Sequence, residues 1–271
     1  MPPKLFAFDL DGTLLRSDKQ LSEANRRALL EMVESGATIA LASGRLPSSM
    51  RAYAEMVDFD VAMLTLNGAA VYTSKYVMDT PIYSATLDSH YGAALIAHAE
   101  NREFALNFYH NGQLYAAPNP KSRRWLDYYF SQTSSPYNFI DSMSTMAHLH
   151  PSKIIFIGEA DEINRQEEHF RALWGDKVYI VRSWEHYVEF LNPAANKGLA
   201  IEALAQALGI PLDQVAAFGD ADNDIPMLTA VGHGIAMQNA WQSVKDAVPY
   251  VSPWTNDEDA IAREWARLKK L

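Results

Sequence analysis

Short apolar runs alternate with amphipathic stretches along the first part of this chain. Leu5–Leu10 is an apolar run that ends in Asp11-Gly12. A helical pattern follows over 22–35, with Leu21, Leu29, Leu30 and Val33 as its apolar stripe. Thr38–Ala42 reads as a second buried strand, 48–57 as a helix, and Val61–Leu66 as a third strand. Strands alternating with helices predict a parallel sheet of βαβ units, an α/β fold. Ligands of such sheets bind at the carboxyl ends of the strands.

The middle of the chain has another rhythm. A helix over about 87–100 leads to strands Glu103–Tyr109 and Leu114–Ala117, an antiparallel hairpin about His110-Asn111-Gly112. A helix over about 120–131 precedes a loose Ser/Thr/Pro stretch that runs to His150. Strand Ile154–Ile157, a helix over about 160–174 and strands Val178–Val181 and Tyr187–Leu191 complete it. Residues 83–187 therefore read as an α+β domain inserted between 1–82 and 188–271. The parallel pattern resumes with helix 197–208, strand Val215–Phe218 and helix 223–230.

Composition narrows the chemistry. The 271 residues are 48 % hydrophobic and 21 % charged, which suits an ordered globule. A net charge of −10 repels a polyphosphate backbone, so no nucleic-acid partner is expected. The chain has no cysteine, which excludes a disulfide, a thiolate metal site and a thiol nucleophile. No stretch approaches the roughly 20 apolar residues that span a bilayer, and no secretory signal opens the chain, so the reading is cytoplasmic with no membrane partner.

Four polar segments follow buried strands or open helices. Asp9 and Asp11 flank the turn that Gly12 allows, so both carboxylates can enter one crevice. Close carboxylates repel, and one holds a proton unless a cation intervenes, which suits a nucleophile beside an acid. An ordinary Asp-Gly turn is the plain alternative. Asp220, Asp222 and Asp224 follow strand Val215–Phe218, a density of charge that a divalent cation would relieve. Ile225 and Val231 replace the glycine and glutamate of a calcium-binding EF-hand, and Asn223 and Asp224 could alternatively cap the next helix. Ser43-Gly44-Arg45 opens a helix with Pro47 in its first turn, an arrangement that binds phosphate or merely caps the helix. Lys197 starts a helix, against the dipole, and a nearby anion would remove that conflict. Gly232-His233-Gly234 lacks the third glycine of a dinucleotide fingerprint, since Met237 stands there.

Together, Asp9–Leu14, Ser43-Gly44-Arg45, Asn67-Gly68-Ala69, Lys197-Gly198, Gly219–Leu228 and Ala236–Ala240 resemble the haloacid dehalogenase (HAD) superfamily. The match is to its Cof-type branch, and it spans nearly the whole chain in the right order. The resemblance implies a Rossmann-like parallel-sheet core with an inserted α+β cap domain, and a Mg2+-dependent phosphatase. Asp9 would attack phosphorus, and Asp11 would protonate the leaving alkoxide and then activate water. Mg2+ would be held by Asp9, Asp11 through its carbonyl, and Asp220, with Asp224 in support. Leu10, Ser43, Gly44, Lys197 and Asn223 would hold the phosphoryl oxygens. Arg45 and Asn67 are candidate substrate contacts, whereas His110, Lys121 and Arg124 suit a solvated surface better.

The implied substrate is a small phosphorylated metabolite, with hexose phosphates, pyridoxal phosphate and flavin mononucleotide all open. A phosphosugar mutase and a non-enzymatic phosphate- or metal-sensing module are the alternatives. Two departures from the branch, Ala194 and Ala260 where it often carries glycine, bear on loop shape.

Overall fold

The structure, a computed structural model, describes residues 2–78 and 80–270; Met1, Asp79 and Leu271 lie outside the described residues. The chain divides into two compact units, Met1–Ser84 with Asn196–Leu271, and Ala85–Ala195.

The first unit begins with β1 (Leu5–Asp9), α1 (Glu23–Glu34), β2 (Thr38–Ala42), α2 (Pro47–Ala54), β3 (Ala62–Thr65), β4 (Ala70–Tyr72) and β5 (Tyr83–Ser84). The second unit holds α3 (Ser89–Ala99), β6 (Ala105–His110), β7 (Gln113–Ala116), α4 (Arg123–Thr133), β8 (Tyr137–Phe139), β9 (Lys153–Ile157), α5 (Ala160–Trp174), β10 (Tyr179–Trp184) and β11 (Tyr187–Leu191). The first unit then resumes with α6 (Lys197–Leu208), β12 (Val215–Gly219), α7 (Ile225–Ala230), β13 (His233–Ala236), α8 (Gln242–Ala247) and α9 (Ala260–Leu268).

The first unit's sheet has the order β13-β12-β1-β2-β3-β4-β5. Strands β13 to β3 pair in parallel, and β4 and β5 extend the edge antiparallel. β1 is central, and all five of its residues are buried, which is why it reads as an unbroken apolar run rather than an alternating one. Its neighbours are β2 on one side and β12 on the other, so the chain reverses direction across the sheet at β1. Such a reversal opens a crevice at the carboxyl ends of the strands.

Local chemistry sets the helix boundaries. Ser22 caps α1 by accepting the Asn25 N–H at 3.1 Å. Pro47 enters the first turn of α2, where its missing N–H costs nothing. Gly209 ends α6 in the left-handed conformation. One expected core position is corrected: Leu30 is turned outward, and Met32 with Ala28 and Leu29 makes the buried stripe of α1.

The second unit's sheet runs β10-β11-β9-β6-β7-β8. It is antiparallel except for β7 and β8. The expected insert end at 187 is moved to 195, because β11 pairs between β9 and β10 and cannot leave this sheet. The expected loose stretch before His150 contains β8. Among the described residues no helix is long and apolar enough to cross a membrane.

β13 passes so close to α7 that a Cβ at Gly234 would lie 1.9 Å from the Leu228 carbonyl oxygen. Gly234→Ala is therefore expected to cost about 2–3 kcal/mol through overpacking. Gly36→Ala, where the space is open but φ is +90°, should cost nearer 1 kcal/mol. Urea denaturation of both variants checks the order.

Candidate active site

The carboxyl ends of the parallel strands carry the polar groups. Asp9 is the last residue of β1, Ser43 follows β2, Asn67 lies just beyond β3, and Asp220 follows β12. Lys197 is the first residue of α6, placed by Asn196, whose Oδ1 accepts the Leu199 N–H at 2.9 Å. The carbonyl of Asn196 packs on the Asn67-Gly68 turn: a Cβ at Gly68 (φ +93°) would lie 2.4 Å from it.

Lys197 is completely buried, and its Nζ donates to Asp9 Oδ1 and Asp224 Oδ1, both at 2.6 Å. The conflict between this lysine and its helix dipole is thereby removed by two anions. The other oxygen of Asp224 accepts the backbone N–H groups of Asp220 (3.0 Å) and Ala221 (3.1 Å). Asp224 thus folds the loop after β12 rather than capping α7. Asp220 Oδ1 accepts from Thr13 Oγ1 at 3.1 Å, joining that loop to the turn after β1. A Cβ on Gly12 would lie 2.4 Å from Asp220 Oδ2, so only glycine fits there. Asp9, Asp220 and Asp224 each offer an oxygen within 4.8 Å of the others.

Asp11 stands apart from this trio. Arg45 grips it with Nε at 3.2 Å and Nη2 at 2.8 Å from Oδ2, and Lys19 Nζ lies 2.7 Å from Oδ1. Arg45 also lies over the Tyr53 ring, 4.9 Å from its centroid. Ser43 is buried, and its Oγ accepts the Arg45 N–H at 3.4 Å. Asn223 Nδ2 donates to Asn67 Oδ1 at 3.0 Å, and the same oxygen would meet a Cβ on Gly44 at 2.9 Å. Leu10 is fully buried in the turn after β1. All these residues belong to the first unit. His110, Lys121 and Arg124 belong to the second; Arg124 pairs with Glu159 at the surface.

Three contributors were given no role from the sequence, although Thr13 and Asn239 lie within the matching segments Asp9–Leu14 and Ala236–Ala240. Lys19 reaches Asp11 from a left-handed turn (φ 64°), and Thr13 reaches across 207 residues to Asp220. Asn239 Nδ2 holds the Gly12 carbonyl at 2.8 Å.

Residues 6–264 match the model of the haloacid dehalogenase-like hydrolases. The chain belongs to that family. This HAD chain is 30 % identical over 252 residues to an HMP-PP phosphatase of Cronobacter sakazakii, covering 92 % of this chain and 89 % of the relative. It is 28 % identical to phosphatase YwpJ of Bacillus subtilis, covering 98 % and 99 %. A haloacid dehalogenase-like hydrolase from Bacteroides thetaiotaomicron superposes with a TM-score of 0.85 at 26 % identity, covering 98 % and 99 %. Like the relatives it matches end to end, the chain is a phosphatase.

Electrostatics distinguish the carboxylates. Burial drives the Asp9 carboxyl well above its ordinary range; Lys197 opposes the shift, and Asp224 and Asp220 add to it. Asp220 is pushed up to about 7, first by burial and then by Asp224. Burial works against the charge of Lys197, but Asp224 and Asp9 outweigh it and raise the ammonium's pKa. Burial would raise Asp11 too, yet Arg45 and Lys19 more than offset it and hold it below the ordinary value. Asp9 Oδ2 and Asp220 Oδ2 accept no hydrogen bond among the described residues. Hard oxygen donors, an excess of anions over Lys197 and carboxyls raised by burial and by mutual repulsion fit a divalent cation.

A carboxyl with a raised folded pKa stabilises the fold while protonated, and that contribution falls as pH rises through the folded value. With Asp220 moving from 3.8 to about 7, EDTA-treated protein should lose thermal stability between about pH 4 and 7 and level off above that. A divalent cation competes with the proton there. Its stabilising effect should be small near pH 5 and largest near pH 8, as thermal denaturation with and without Mg2+ will read.

Proposed function

We propose that this enzyme hydrolyses a small-molecule phosphomonoester, with Mg2+ as cofactor, through a phosphorylated Asp9. The observation that carries the reading is Lys197 Nζ fixed between Asp9 and Asp224, 2.6 Å from each. It holds the Asp9 carboxylate by one oxygen and leaves Oδ2 as the attacking atom.

Mg2+ would be held by Asp9, Asp220 and the Asp11 backbone carbonyl, with Asp224 ordering the loop that carries Asp220. When bound, it supplies positive charge that offsets the phosphoryl oxygens. Ser43 Oγ, the Leu10 and Gly44 N–H groups, Lys197 and the Asn223 amide are the donors that orient those oxygens. Asn67 sets the position of Asn223.

The step then follows from the chain's own groups. Asp9 Oδ2 forms a bond to phosphorus as the ester P–O bond breaks, and the leaving alkoxide takes a proton from Asp11. Water next attacks phosphorus, giving its proton to the Asp11 carboxylate, and the Asp9–phosphorus bond breaks to release inorganic phosphate. Held by Arg45 and Lys19, Asp11 is in its carboxylate form, the form needed for the second half. Acting as an acid in the first half requires those two cations to release it. An anionic substrate that attracts Arg45 would do so, and this makes Arg45 a substrate contact as well.

A relative that acts on HMP-PP favours a small phosphorylated metabolite, a sugar phosphate or phosphorylated cofactor, over a macromolecule. The −10 charge of the chain also argues against nucleic acid.

Asp9→Asn should lower kcat by about 10³-fold or more in phosphate-release assays across a metabolite panel. Wild-type protein quenched in acid during turnover should retain phosphate on Asp9 by mass spectrometry. Phosphate release by Asp9→Asn at the wild-type rate would refute the mechanism. Lys197→Met should lose activity and also cost about 3–5 kcal/mol of stability in metal-free protein, since it strands buried carboxylates.

A further inference from the structure

The loop between β1 and α1 carries Asp11 at its root and Lys19 near its end, and distant residues hold it from outside. Asn239 Nδ2 donates to the Gly12 carbonyl at 2.8 Å, and Asn256 Nδ2 donates to the Leu15 carbonyl at 3.0 Å. The Ser17 N–H and Oγ donate to the two oxygens of Asp257 at 2.9 and 2.7 Å. Asn239 Oδ1 also accepts the Asn256 N–H at 3.0 Å, which ties the bracing residues to one another. These partners stand 227 to 241 positions apart in sequence, and all of them belong to the first unit.

The brace is itself well fixed. Asn256 is buried. The N–H and Oγ1 of Thr255 both donate to Glu258 Oε2, at 3.0 and 2.9 Å, and close the 3₁₀ turn Asn256–Glu258 that presents Asp257. Within the loop, the Arg16 N–H bonds the Gln20 carbonyl at 3.0 Å, and the Lys19 N–H bonds the Arg16 carbonyl at 2.9 Å. Those two bonds give residues 16–20 a shape but no place. Their place comes from the contact of Ser17 with Asp257. Lys19 takes φ 64° in this turn, a region that a lysine enters only where its surroundings impose it. Its side chain is 56 % exposed, yet Nζ lies 2.7 Å from Asp11 Oδ1. An exposed ion pair is weak because two flexible side chains must be ordered, and a backbone already fixed beneath one of them lowers that cost.

We propose that Asp257 is a positioning residue for the second half of the reaction. Asp257 holds Ser17, the turn that follows holds the Lys19 ammonium on Asp11 Oδ1, and the ammonium keeps the Asp11 carboxylate aimed at the attacking water. The inference rests on the acid–base role proposed above for Asp11. That half needs Asp11 as a carboxylate, which is the form that Lys19 holds. Arg45, the other cation on Asp11, is the contact proposed for the anionic substrate, which leaves Lys19 to orient the carboxylate. Positions set in this way from outside a site decide rates, because small misplacements of a reacting group are costly.

The test uses the full chain in single turnover, with Mg2+ and with enzyme in excess over p-nitrophenyl phosphate. Nitrophenolate leaves without a proton, so forming phosphorylated Asp9 does not need Asp11 as an acid, whereas its hydrolysis still needs Asp11 as a base. Samples quenched in acid at intervals read both steps by mass spectrometry. Asp257→Ala should slow the decay of phosphorylated Asp9 about tenfold, while its formation stays within about twofold of wild type. Ser17→Ala, which keeps the backbone N–H, should slow the decay less. The double variant Lys19→Met with Asp257→Ala should decay no more slowly than Lys19→Met alone. Unchanged decay in Asp257→Ala, an equal loss in both steps, or effects that multiply in the double variant would overturn the proposal. Hydrogen exchange needs no turnover: Asp257→Ala should speed amide exchange in residues 12–20 and leave α6 as in wild type. Unchanged exchange in residues 12–20, or a rise throughout the first unit, would also overturn it. Wild-type protein that never carries phosphate on Asp9 would instead refute the hydrolytic mechanism, so the two failures are distinguishable.

Discussion

The first unit depends on one buried cation. Lys197 Nζ touches Asp9 at the end of β1 and Asp224 in the loop after β12, residues that lie 188 and 27 positions from it in sequence. Without that ammonium, the adjacent ends of two parallel strands would present unscreened carboxylates to each other in a low-dielectric interior, a costly arrangement. With it, one carboxylate is held by a single oxygen, and the other is free to fold the Asp220 loop through two backbone N–H groups. The same contact therefore closes the sheet end and orients the carboxylate proposed to react.

Asp11 illustrates how two carboxylates two residues apart come to differ. The strand keeps Asp9 inside the sheet end, where burial opposes ionisation. The turn made possible by Gly12 sends Asp11 outward to Arg45 and Lys19, where ionisation is favoured. The acid–base role proposed for Asp11 needs ready proton exchange, and a half-exposed position between Arg45 and Lys19 allows that. The nucleophilic role proposed for Asp9 needs a fixed oxygen, and the interior provides it.

Much of this was legible in the chain. The uninterrupted apolar run of β1, the Ser22 cap and the amphipathic spans of α5 and α6 state their structure locally, and α5 and α6 fall where their patterns place them. Asp9, Ser43, Lys197 and Asp220 could be found because each stands directly after a buried strand or at a helix start. Other features depend on distant partners. β13 contains Gly234, a poor strand former required by the closeness of α7, and its short stretch carries no periodic signal. Leu30 and Met32 both fit a helical stripe, and only packing selects between them. Lys19 is an ordinary turn lysine until folding brings it to Asp11. Spacing indicates which residue types meet; it does not say which oxygen each donor takes.

The packing of Gly68 against the Asn196 carbonyl has an evolutionary consequence. Asn196 is the first residue after the inserted unit, and Lys197 comes next. The Asn67-Gly68 turn clamps this junction from within the first unit, so contacts of that unit, rather than of the 111 residues Ala85–Ala195 that precede it, fix the lysine at the start of α6. The contacts that place Asp9, Lys197, Asp220 and Asp224 all lie within the first unit. The fold thus offers a splice point at which new recognition surfaces can be tried while the phosphoryl chemistry stays under separate selection.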